Sequence, residues 1–117
     1  MGRCAGVGGG MNQGDVYWYT FKSPDKRRPV VILTRNSAIH FLSGITVAPI
    51  TRTIRGIPTE VVLTEEDGLF TMCAVNLDNI QTIQKANLAG YITHLSLEKM
   101  RAVRSAIEFA LGFDALE

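Results

Sequence analysis

The stretch Lys26-Arg27-Arg28-Pro29-Val30-Val31-Ile32-Leu33-Thr34-Arg35 sets a dense positive cluster directly against an unbroken apolar run. The run from Pro29 to Leu33 is mostly β-branched and opens on a proline, which predicts a strand, about Pro29–Thr34, buried on both faces. A proline is tolerated at the first residue of a strand, where no ladder N–H is required. It also biases the residue before it, Arg28, towards an extended backbone. A guanidinium held at the mouth of a core strand suits a site that grips phosphate.

The rest of the chain builds outward from that strand. Val16-Tyr17-Trp18-Tyr19-Thr20-Phe21, entered through Gly14-Asp15, is aromatic and β-branched, and predicts a first strand. It pairs antiparallel with the second across the basic turn Lys22–Arg27. A short helical turn is expected around Ala38–Leu42, ended by Gly44. Ile45–Ile50 predicts a third strand, with Pro49 marking an edge or a bulge near its end. Thr59–Leu63, Met72–Val75 and Asn79–Gln84 predict three more strands, separated by polar turns. The closing element is a helix, with Ser96 as N-cap and Glu98 in the first turn. Its apolar stripe runs Leu97, Met100, Val103, Ile107, Leu111, and Gly112 sits at C′. Six strands with short connections and then one helix predict a mainly β fold, a small antiparallel SH3-like barrel with a C-terminal helix. Residues 1–13 are glycine-rich and read as a flexible leader, with Met11 as an alternative start, before a single domain over 14–117.

With 117 residues the chain can bury a core without disulfide or metal support. No apolar run has the length of a membrane span and no signal-peptide pattern is present, so a cytoplasmic protein that binds no membrane is expected. Cys4 and Cys73 lie outside any C-x-x-C pattern and are expected to be free thiols. The net charge of +1 conceals an asymmetry. Residues 1–56 carry eight basic and two acidic side chains, net +6, while residues 57–117 carry four basic and nine acidic, net −5. One face therefore suits an anionic partner.

Several chemistries are absent. There is no phosphate-binding G-x-x-x-x-G-K-[ST] loop and no G-x-G-x-x-G opening a helix. His40 and His94 stand apart from any second ligand at metal spacing, and no serine occupies a G-x-S-x-G elbow. No metal and no cofactor are expected, so any catalysis rests on Arg, Asp, Thr or backbone groups.

Five segments follow one another at a recognisable spacing: Gly14-Asp15-Val16, Arg28-Pro29-Val30-Val31-Ile32-Leu33, Pro49-Ile50-Thr51, Arg55-Gly56-Ile57-Pro58-Thr59-Glu60-Val61 and Asn76-Leu77-Asp78-Asn79-Ile80-Gln81-Thr82-Ile83. Together they resemble the MazF/PemK family of bacterial toxins over about residues 14–113. The resemblance implies a CcdB/MazF-like barrel and a sequence-specific, metal-independent endoribonuclease that acts as a homodimer on single-stranded RNA. It also implies a cognate, MazE-like antitoxin whose acidic extended tail occupies the RNA groove. The family's catalytic arginine and threonine fall on Arg28 and Thr51, and its products carry 2′,3′-cyclic phosphate and 5′-hydroxyl ends.

The residue chemistry agrees with that route. Attack by the substrate's own 2′-OH passes through a phosphorane with extra negative charge, where fixed donors in a dry site are most effective. Arg28 offers a permanently charged fork and Thr51 a stiff hydroxyl. Asp25, three residues upstream, is the candidate base, with water as the alternative. Lys22, Lys26, Arg27, Arg52, Thr53 and Arg55 are candidate backbone contacts. Trp18 or Tyr19 is a candidate stacking ring, with core packing the other reading of Trp18, and Asn76, Asn79 and Gln81 are candidate readers of base edges or strand-end caps. Cys73 stands where a small hydroxyl residue is expected in relatives. Two other readings of the same barrel stay open: a CcdB-like toxin that binds DNA gyrase without cutting nucleic acid, and a non-catalytic RNA-binding module.

Overall fold

In the computed structural model the described residues are 10–21 and 27–116. Val30, Val31 and Ile32, the centre of the opening stretch, are completely buried. Side chains alternate across a strand, so the run serves two cores. Val31 packs with Val16, Ala48, Ile50, Leu63 and Val75 on one face of the sheet. Val30 and Ile32 pack with Ile39, Ile45, Val47 and Ile83 on the other. Burial on both faces is thus as expected from the continuous apolar run.

The strands are β1 (Asp15–Thr20), β2 (Arg27–Ile32), β3 (Gly44–Thr51), β4 (Glu60–Leu63), β5 (Cys73–Asn76), β6 (Gln81–Gln84) and β7 (Tyr91–His94). Helix α1 (Asn36–Ile39) lies between β2 and β3, and α2 (Leu97–Ala110) closes the fold. The strands form one antiparallel sheet in the order β4-β5-β3-β2-β1-β7, with β6 also paired to β3. It is the mainly β, curled antiparallel architecture with a C-terminal helix that the element order predicts.

Four details differ from expectation. First, β2 begins two residues early, because Arg27 and Arg28 pair with Thr20 and Tyr19 of β1. The proline instead ends pairing on the other flank. The Leu33 N–H donates to the Thr46 carbonyl, so odd-numbered residues of β2 point their backbone groups at β3. Pro29 has no N–H to offer there, and β2–β3 pairing stops at Val30. Second, Pro49 marks neither an edge nor a bulge, for β3 is central. By the same alternation its missing N–H faces away from β2. It falls in the gap between the β6 pairing at Gly44–Val47 and the β5 pairing at Ile50–Thr51.

Third, β7 was not expected. It is short and half-exposed, and is held on β1 by a polar tie that hydropathy does not register. Asp15, 1% exposed, takes the Asn12 N–H at 2.9 Å on one oxygen and meets His94 Nδ1 at 2.7 Å with the other. Fourth, only the middle of the α2 stripe is covered. Val103 and Ala106 are buried and Met100 and Ile107 pack beside them, but Leu97 and Leu111, at the helix ends, are 66% and 57% exposed. The caps are as read: Ser96 accepts the Lys99 N–H at 3.1 Å, and Gly112 adopts φ +80°.

The first nine residues of the expected leader lie outside the described residues. Gln13 donates its N–H to Asn36 and its amide to the Leu33 carbonyl, and Met11 packs on the second core, so the folded body begins before residue 14.

Between β4 and β5 a short 3-10 turn (Glu65–Asp67) is closed by a capping box between Thr64 and Asp67 and ends on Gly68 at φ +97°. A methyl group there would overlap the Thr93 side chain of β7 as well as strain the backbone. Gly68→Ala should therefore destabilise the fold by about 2–4 kcal/mol, measured by chemical denaturation.

Candidate functional site

The register that joins β2 to β3 carries the site. Val30 is opposite Pro49. Two residues beyond that pair, past the end of β2–β3 pairing, Arg28 and Thr51 line the same space. Both side chains, with Thr53, form the wall shared by two adjoining clefts. The Thr51 hydroxyl oxygen accepts the Thr53 N–H at 3.1 Å, which fixes the turn out of β3. That bond uses a lone pair, and leaves the hydroxyl proton to be donated elsewhere.

Among the described residues, the first cleft, about 620 Å³, is lined by three guanidinium side chains, Arg27, Arg28 and Arg52, and by no carboxylate. Trp18 forms its aromatic wall. The indole is stacked with Phe70, ring centroids 5.6 Å apart at 15°, and the Arg27 guanidinium carbon lies 4.5 Å from the indole centroid. Leu69 and Cys73, both buried, line it from below. Burial, reinforced by the Asp67 carboxylate, raises the Cys73 thiol above its ordinary range. At neutral pH it is a neutral group and supplies no thiolate nucleophile.

The second cleft, about 410 Å³, is more polar. Arg55, Asn76, Asn79 and Gln81 line it together with the shared wall, Phe21, Pro49 and Glu60. Glu60 organises its rim. One carboxylate oxygen accepts the backbone N–H of both Arg55 (2.9 Å) and Gly56 (3.1 Å), pinning the basic segment that follows β3. Asn76 caps the turn after β5, its side-chain oxygen taking the Asp78 N–H at 2.9 Å, so its NH₂ is the end left for a ligand. The Gln81 amide reaches the Asn79 carbonyl at 3.4 Å.

Ten of the residues singled out from the sequence are thus brought to two connected clefts: Trp18, Arg27, Arg28, Thr51, Arg52, Thr53, Arg55, Asn76, Asn79 and Gln81. Lys22, Asp25 and Lys26 lie outside the described residues. Sequence reasoning missed Phe70 and Glu60. Phe70 follows a Gly-Leu turn and carries no periodic signal. Glu60 reads as an ordinary polar residue at a strand's start, although a carboxylate four residues after Gly56 is a plausible turn-pinning group.

The chain and its fold are similar to those of known proteins. The family model for the PemK-like, MazF-like toxin of type II toxin–antitoxin systems matches residues 12–111. A relative from Mycobacterium tuberculosis (strain ATCC 25618 / H37Rv), described as probable endoribonuclease MazF5, is 40% identical over 100 residues, which cover 85% of this chain and 91% of the relative. The fold is similar to that of the Mycobacterium tuberculosis toxin MazF-mt6, with a TM-score of 0.77 and 38% identity over 84% of this chain and 96% of that one. It is also similar to a mycobacterial endoribonuclease solved in complex with its cognate antitoxin, with a TM-score of 0.79 and 28% identity over 87% and 95% of the two chains.

Proposed function

The chain belongs to the PemK-like, MazF-like toxin family of type II toxin–antitoxin systems, and on that premise we propose that it is a sequence-specific, metal-independent endoribonuclease acting on single-stranded RNA. The observation that carries the reading is that Arg28 and Thr51 share the wall common to two clefts. A strand of RNA crossing that wall places one phosphate between the two donors and its flanking bases on either side.

The substrate's 2′-oxygen attacks the adjacent phosphorus and the bond to the 5′-oxygen breaks. The products are a 2′,3′-cyclic phosphate and a 5′-hydroxyl. In between, negative charge accumulates on the equatorial oxygens. The Arg28 fork binds two of them at once, and the Thr51 hydroxyl donates to the same group. A free guanidinium does not surrender its proton near neutral pH, so Arg28 is a clamp and not the base. The 2′-OH proton passes to Asp25 or to water, and the leaving 5′-oxygen takes a proton from water as its bond to phosphorus breaks. Arg27, Arg52 and Arg55 hold neighbouring phosphates, Trp18 offers a ring to a base, and Asn76, Asn79 and Gln81 face base edges in the second cleft. Lys22 and Lys26, with Thr53, complete the set of backbone contacts in this reading.

The same surface suits the partner found with the related toxin. An acidic, extended antitoxin segment complements arginine-lined clefts, and occupying them excludes RNA. A homodimer completes the assembly in this reading.

The test is direct. Purified protein incubated with a long single-stranded RNA in EDTA should cut it at discrete sites, and the new 5′ ends should accept phosphate from a polynucleotide kinase without prior dephosphorylation. RNA left intact in EDTA overturns the reading, and intact RNA together with inhibited DNA gyrase replaces it with the CcdB-like one.

A further inference from the structure

We infer that Phe70 is a base-stacking residue of the first cleft, holding an unpaired nucleobase whose phosphate lies among the arginines; the inference rests on the endoribonuclease reading and names a specificity-independent anchor within it. Phe70 is 63% exposed, lines the first cleft and stacks on Trp18. It is not a loose loop tip. The turn before it is closed by the Thr64–Asp67 capping box and by Gly68. The adjoining Leu69 is buried in the main core, with its N–H on the Thr64 carbonyl. The chain is thus fixed one residue before Phe70, and the ring is presented at little entropic cost.

The chemistry around the ring selects the occupant. Trp18 backs Phe70, and Arg27 covers the indole at 4.5 Å. Arg28 and Arg52 line the same space, with no carboxylate among the described residues. A flat, uncharged ring bearing an anionic tether satisfies all of these features. Aromatic platforms beside a cationic groove are how single strands are held without reading their sequence, because every base has a π-face. The cleft's volume, about 620 Å³, lies within the range of small-ligand sites.

Single-stranded DNA of mixed sequence is the probe, since it keeps bases and phosphates but lacks the attacking hydroxyl. Trp18 is the sole tryptophan, so its emission reports on this cleft alone. Binding should change Trp18 emission saturably. By anisotropy of a labelled strand, Phe70→Ala and Phe70→Leu should weaken binding about tenfold, and Phe70→Tyr should remain within about twofold of the parent. The salt dependence separates stacking from charge. Phe70→Ala should leave the slope of log affinity against log salt unchanged, whereas Arg52→Ala should lower it by about one. Phe70→Ala binding as tightly as the parent, or a parent that does not bind the strand, overturns the stacking role while RNA cutting in EDTA still upholds the endoribonuclease. Loss of cutting in the parent protein overturns both.

Discussion

Arg28→Ala should cut RNA at least about 100-fold more slowly than the parent protein, with little change in thermal unfolding. The magnitude follows from the role proposed for the side chain. A fixed cation that meets charge developing only in the transition state lowers the barrier and not merely the binding energy. The deficit should therefore appear in the single-turnover rate at saturating RNA more than in affinity. Stability is spared because Arg28 is only half-buried and none of the described ion pairs includes it. Arg28→Lys is the informative companion. It keeps the charge but not the planar fork, so it should recover part of the rate and not all of it. Thr51→Val keeps the β-branched shape and removes the donor, and should also fall on the rate. Arg52→Ala, at a proposed phosphate contact away from the shared wall, should weaken binding and leave the saturated rate nearly intact. If Arg28→Ala cut normally, the arginine would have no part in the chemistry.

The parts legible in the sequence share a physical reason. The continuous apolar run through Val30–Ile32 can only be satisfied by two cores, and it has them. Ser96 and Gly112 mark a helix whose ends are set by local hydrogen bonds, and local signals are readable. What escaped is non-local. Strand β7 rests on a contact between Asp15 and His94, 79 residues apart, which no window of sequence contains. Pro49 looks like an edge signal, and only the hand-over from β6 to β5 explains why a central strand accepts it. The site divides the same way. Arg28 and Thr51 came from the resemblance, and both line the wall that the two clefts share. The contributions of Phe70 and Glu60 depend on where two loops come to rest. The basic first half of the chain pointed to an anionic partner, and three of its arginines do share one cleft. The acidic second half supplies Glu60, which turns its carboxylate onto backbone N–H groups instead of neutralising that cleft.

Replacing a single ribose by deoxyribose, at the nucleotide just 5′ to a mapped cut, should abolish cleavage at that phosphate by at least about 1,000-fold. The reasoning does not depend on the identity of the base. If the nucleophile is the neighbouring 2′-OH, it is already tethered to the phosphorus it attacks, and well-oriented intramolecular groups act at effective concentrations of about 10⁵–10⁸ M. Neither cleft offers a substitute. Among the described residues that line them, Cys73 is held as a neutral thiol, and the one carboxylate, Glu60, has an oxygen engaged by the Arg55 and Gly56 N–H groups. Binding should change little, because one lost hydroxyl leaves the phosphate contacts and the stacking intact. The modified strand should then act as a competitive inhibitor of cutting on normal RNA. Deoxyribose one nucleotide further along, on the 3′ side of the cut, should be tolerated, since that sugar supplies only the leaving 5′-oxygen. Cutting at the parent rate at the 5′-deoxy position would mean that water or a protein group attacks the phosphorus, and Arg28 and Thr51 would have to be reassigned to a different transition state.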